Sequence, residues 1–168
     1  WNKPWEDPCN KHNNQNNNYY NYSSYNYYGG ILDVYDASTE DQAATLARII
    51  WIYAHGVASQ SAQAAVGWAV MNSVDASGKG ANVCTVAGNF NYDYGTNVVD
   101  NYGRSLLPLA RDILFRWKAG RAGVSSNGRV LPSGYYYVTS TGTMVTFGST
   151  PNETRAVQSF GYTTPYGS

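Results

Sequence analysis

Acid–base chemistry needs carboxyls or imidazoles that can be brought together, and this chain has few of either. Its glutamates are Glu6, Glu40 and Glu153, and its histidines are His12 and His55. Glu40 follows Ser38-Thr39 at an expected helix start, where a carboxylate caps the helix and offsets its dipole. Glu153 falls in a polar loop, 150–155. His55 falls at an expected helix end, where an imidazole complements the C-terminal carbonyls. Two histidines and two cysteines this scattered make no metal motif, so neither a metal nor a cofactor is expected. No phosphate-binding glycine loop and no G-x-S-x-G elbow is present. Cys9 and Cys84 are the only cysteines, and in an exported protein an even count predicts one disulfide.

The elements that must position these residues divide into an arm and a body. Residues 13–28 read NNQNNNYYNYSSYNYY, with no aliphatic and no charged side chain. Such a segment cannot build a core of its own, yet it suits pairing against another chain. Tyr19, Tyr20, Tyr22, Tyr25, Tyr27 and Tyr28 are its contact residues, and residues 1–30 are read as an extended arm. Residues 31–168 form the second unit. Ser38 and Asp41 stand at capping-box spacing, and Ala43, Leu46, Ala47, Ile50 and Ala54 then recur at helical intervals up to Gly56, an expected C-cap. A second helix is expected over 61–74, a loop over 75–99 and a third helix over 105–119 with Pro108 in its first turn. Two β-prone runs, 135–139 and 143–147, flank Ser140-Thr141-Gly142 as a hairpin loop. The fold class is α+β: a mainly helical body with a C-terminal hairpin and an extended N-terminal arm.

Composition narrows the function. Eleven basic and eleven acidic residues give zero net charge, against a nucleic-acid partner. Only 13 % of residues are charged, and a surface so poor in charge tends to self-associate. No apolar run is long enough to span a membrane. A start at Trp1 is what a mature exported chain with its leader removed, or a fragment, would show. Asn21 and Asn152 begin N-x-[ST] triplets and are possible glycosylation positions.

Five stretches in order resemble one family, covering about residues 38–148. Leu46 to Gly56 (LARIIWIYAHG) is similar to the L-A-R-x-V-Y-x-E-A-R-G helix of bacterial SleB-type cell-wall hydrolases. Gln63 to Asp75 resembles the family's second helix, which ends near L-N-R-V, and Gly88-Asn89-Phe90 stands where G-Q-F is usual. Ile113 to Trp117 and Gly128 to Pro132 resemble the third helix and its exit. The resemblance implies a peptidoglycan-directed scaffold of bacterial origin whose activity, lytic transglycosylation, rests on the motif glutamate. Tyr53 occupies that position here. A phenol has a reference pKa of about 10 and is a poor proton donor to a glycosidic oxygen. The family's G-D-G-x-H-N hairpin segment corresponds to Ser140 to Val145, without its Asp, His and Asn. Asp93 and His55 are the residual candidates for relocated chemistry. Phe90, Tyr92 and Tyr94 could stack on sugar rings or simply cover the cleft floor. The expected function is a non-catalytic, exported, cell-surface structural protein that assembles with itself through its arm. The alternatives are a peptidoglycan-binding pseudoenzyme and an active lytic transglycosylase.

Overall fold

The structure, a computed structural model, describes residues 37–92, 103–124, 127–162 and 164–166. Helix α1 spans Ala37–Ala54 and is the central element. Between Thr39 and Ile50 every residue except Gln42 is buried, polar Thr39, Glu40, Asp41, Thr45 and Arg48 included. A helix buried on all sides must lie between its neighbours, and α1 packs on both later long helices, the short helices and the hairpin.

Helix α2 (Gln60–Ser77) starts at Ser59, whose Oγ accepts the Ala62 N–H at 3.2 Å. Its Ala62, Ala64, Ala65, Gly67 and Ala69 are buried and small, so neighbouring helices approach closely. At Gly67 an added Cβ would press on the Ile113 side chain. Helix α3 (Val83–Val86) runs into a 3-10 turn, Ala87–Phe90, and is held by a reciprocal Asn82–Thr85 capping box. Helix α4 (Leu107–Arg121) carries Pro108 in its first turn. Strands β1 (Tyr137–Ser140) and β2 (Val145–Gly148) pair antiparallel, Ser140 opposite Val145 and Tyr137 opposite Gly148. Phe147 adds a bridge to Arg155, and a second 3-10 turn spans Val157–Phe160. One apolar core runs from Ala43 through the helices to Phe147 and Val157.

The α+β class and the helix–helix–helix–hairpin order are as expected, with four local corrections. Helix α1 begins at Ala37, so Ser38 lies inside it and is not its cap. The expected loop 75–99 holds the last residues of α2, a short helix and a 3-10 turn. Ser140 belongs to β1, and the turn is Gly142-Thr143, closed by the Thr141 N–H on the Met144 carbonyl at 2.9 Å. Gly56 has no left-handed φ; it is glycine because a Cβ would overlap the Gly142 carbonyl of the hairpin turn. The arm residues Tyr19, Tyr20, Tyr22, Tyr25, Tyr27 and Tyr28 lie outside the described residues, as does Asn21.

Candidate functional site

The C-terminal end of α1 meets the hairpin and the 3-10 turn after α3, and Tyr53 stands at that junction. Its side chain is 9 % exposed. The Asn91 amide donates to its hydroxyl at 3.0 Å, and the Phe90 ring lies edge-on to it at 6.5 Å. Burial raises the phenol above its ordinary pKa, which moves it further from service as an acid near neutrality. Asn91 adopts the left-handed conformation at φ 60°, as asparagine tolerates. The hairpin is fastened to the same helix end. Ser140 Oγ donates to the Tyr53 carbonyl at 2.7 Å and accepts the Gly142 N–H at 3.1 Å.

His55 is exposed; Nδ1 donates to the Trp51 carbonyl at 2.7 Å and the ring stacks on Trp51 at 4.2 Å. It closes the last turn of α1. Phe90 is 2 % exposed and Tyr92 5 %. The Tyr92 hydroxyl accepts from Arg48 Nη1 at 3.1 Å. Both rings are therefore largely packed against the body. Asp93 and Tyr94 lie outside the described residues.

A cleft of about 390 Å³ opens beside Tyr53's neighbour Phe90, lined by Ser73, Asn89, Phe90, Tyr136 and Tyr137. The Tyr136 and Tyr137 rings sit 5.2 Å apart, and Tyr137 is an exposed aromatic. Its walls are aromatic, and its polar groups are the Ser73, Tyr136 and Tyr137 hydroxyls and the Asn89 amide. Of its five residues, Asn89 and Phe90 stood in the family-like G-x-F stretch. Tyr136 and Tyr137 were legible only as part of a β-prone run.

The described carboxylates are engaged elsewhere. Glu40 is 1 % exposed and receives Arg111 in a forked pair, Nη2 to Oε1 at 2.7 Å and Nε to Oε1 and Oε2 at 3.1 and 3.2 Å. That corrects its assignment as a cap: it ties α1 to α4. Asp112 pairs with Arg116 one turn along α4. Asp75 takes Trp117 Nε1 at 3.0 Å and Arg121 at 3.2 Å, beside a second cavity of about 220 Å³. Among the described residues no three His, Cys, Asp or Glu side chains gather as a metal group would require. Cys84 Sγ lies 3.9 Å from Thr45 Oγ1, and its expected partner Cys9 lies outside the described residues. Asn152 is exposed in a turn.

Glu153 holds the turn that follows β2. Its carboxylate accepts the Ser149 N–H at 3.0 Å, the Ser149 hydroxyl at 2.8 Å and the Tyr135 hydroxyl at 2.9 Å. The bond from the Ser149 backbone, then that from its hydroxyl, lowers the Glu153 pKa below its ordinary value. A lowered folded-state pKa adds stability that is complete above the unfolded value and is lost as pH falls through the folded one. Between pH 7 and pH 3 the melting temperature of the wild type is therefore expected to fall further than that of Glu153→Gln. Equal falls in the two thermal scans would show that this carboxylate contributes nothing.

No family model matches this chain, and no curated protein and no solved structure matches it either.

Proposed function

We propose that the protein is a non-catalytic, exported structural protein of a bacterial cell surface. It keeps a cell-wall-hydrolase-like scaffold and assembles with copies of itself through its N-terminal arm. The observation that carries the non-catalytic part is Tyr53: at the position of the resembled acid stands a buried phenol, its hydroxyl taken by Asn91. The self-assembly part is supported by zero net charge, the low charged share and a Tyr/Asn segment suited to intermolecular pairing. Head-to-tail contacts of this kind are heterologous and grow an open filament or layer when the rotation does not close. No helix among the described residues is long and apolar enough to cross a membrane.

Negative-stain electron microscopy tests this directly. Regular filaments or sheets are expected from the full chain. Deletion of residues 13–28, which retains Cys9, is expected to leave dispersed particles with unchanged helical circular dichroism. A deleted chain that still polymerises would refute the role of the arm. Release of soluble muropeptides from cell wall would refute the non-catalytic reading.

The cleft at Tyr136 and Tyr137 favours a second reading, a pseudoenzyme that still holds peptidoglycan. Aromatic walls with amide and hydroxyl groups suit a sugar chain. Retention of the protein on insoluble cell wall would support it, and no retention would reject it.

A further inference from the structure

The backbone pairing of the hairpin leaves one row of hydrogen-bonding groups facing outward. Phe147 gives its N–H to the Arg155 carbonyl at 2.8 Å and accepts the Arg155 N–H at 2.9 Å. Both of its backbone groups therefore point away from β1. Antiparallel pairs alternate between bonded and non-bonded, so Val138, opposite Phe147, is in a non-bonded pair, and so is Ser140, two residues on. Their N–H and C=O groups point to the side of β1 away from β2. Among the described residues no backbone hydrogen bond reaches them there.

Natural sheets protect such an edge with charge, proline or a bulge. This one has no such guard. From Val130 to Asn152 there is no charged residue, and Pro132 and Pro151 lie outside the strands. The N-terminal end of the same strand borders the cleft lined by Tyr136, Tyr137, Phe90 and Asn89, so aromatic side chains have space beside the edge.

We propose that the outer edge of β1 receives the Tyr/Asn segment, residues 13–28, of a second copy of this chain as an added strand. This rests on the assembly reading and names its receiving site. Three facts favour this occupant. The segment is uncharged, like the edge. Its sixteen residues extend to about 50 Å, ample for a four-residue strand with chain to spare. In the chain the segment also precedes the N-terminal end of α1, whereas Ser140 is fastened to Tyr53 near the other end, about 24 Å along the helix axis from Ala37. The chain thus enters α1 at one end and the acceptor edge sits at the other, an arrangement that suits a head-to-tail polymer. Strand addition supplies affinity through the backbone, and alternate tyrosines would enter the cleft.

Amide exchange of the full chain, dispersed and assembled, tests the site. Assembly is expected to slow exchange at Val138 and Ser140 by about tenfold or more. Val138→Pro removes one outward N–H, and Thr139→Lys places a charge on the exposed edge. Each is expected to lower the assembled fraction about tenfold while helical circular dichroism is kept. Thr139→Lys carries the test if the proline variant does not fold. Assembly with unaltered exchange at both amides and indifference to Thr139→Lys would move the arm to another site and overturn this proposal alone. A wild-type chain that stays dispersed would overturn the assembly reading and this proposal with it. Slowed exchange at these amides on adding soluble peptidoglycan fragments, without assembly, would give the cleft to glycan and overturn it too.

Discussion

Arg111→Ala is expected to lower the unfolding free energy by about 3 kcal/mol, the low end for breaking a buried ion pair. The reason lies with the partner. Glu40 is 1 % exposed, and the forked Arg111 guanidinium answers both of its oxygens. Alanine would leave that carboxylate inside the body without this cation. The Arg111 side chain is itself 21 % exposed, so solvent would reach the gap and hold the loss near the lower bound. Against a typical total of about 5–15 kcal/mol this is a large fraction, and the urea midpoint should fall with an unchanged slope. Glu40→Leu with Arg111→Met is expected to recover most of the loss, because an apolar pair of similar volume removes the desolvation cost along with the attraction. If Arg111→Ala and the double variant are equally unstable, the damage comes from lost packing of the arginine stem and the ion-pair account fails.

Helical periodicity made most of this fold legible. Ala43, Leu46, Ala47 and Ile50 mark the buried side of α1, and Leu109, Ala110, Ile113, Leu114 and Trp117 mark that of α4. What periodicity could not show is that α1 is buried on its polar side as well. Glu40, Asp41 and Arg48 read as exterior positions until their surroundings are known, and a cap is the local role the sequence suggests for Glu40. The short helix after Asn82 escaped notice because four residues offer no period, although the Asn82–Thr85 capping pair was there to find. Gly56 is a clearer lesson. Glycine after a helix suggests a left-handed cap, but the cause here is a loop 86 residues later, Gly142, resting on the backbone. Long-range approach of that kind leaves no local signature.

The candidate site was legible in the same uneven way. Tyr53 stood out because its position in a helix resembling a hydrolase motif called for an acid. Its bond to Asn91 and its burial did not follow from the motif. Phe90 and Tyr92 read from the sequence as aromatics near the resembled cleft, and both are buried. The exposed aromatic of the cleft, Tyr137, stands in a run of three tyrosines that strand propensity alone explains. Only the register of β1 on β2 assigns Tyr137 to a rim and Val138 to an open edge.

Asn72 carries the second large prediction, because it connects that edge to the helical core. It is 1 % exposed on α2. Its amide nitrogen donates to the Pro132 and Tyr135 carbonyls, each at 3.0 Å, and its oxygen accepts from Arg129 Nη1. One side chain thus satisfies two carbonyls of the turn that leads into β1 and steadies an arginine lying over Trp68. Asn72→Leu keeps the volume and removes all three bonds. Stranding buried acceptors is expected to cost about 3 kcal/mol in the urea midpoint analysis. The effect on the hairpin is the sharper test. Without the tether, residues 132–136 lose their fixed entry into β1, and the amides of Tyr137 to Ser140 should exchange at least about tenfold faster than those of α4. Asn72→Asp should be worse than leucine near neutral pH, since a carboxylate beside two carbonyls meets acceptors where it needs donors. If leucine equals the wild type in both stability and exchange, the turn is held by Tyr135's other contacts, to Glu153 and Arg155, and the asparagine is dispensable. If exchange rises while α4 is unmoved, the entry to β1 is set from α2, and Asn72 fixes the strand whose outer edge carries the Val138 and Ser140 backbone groups.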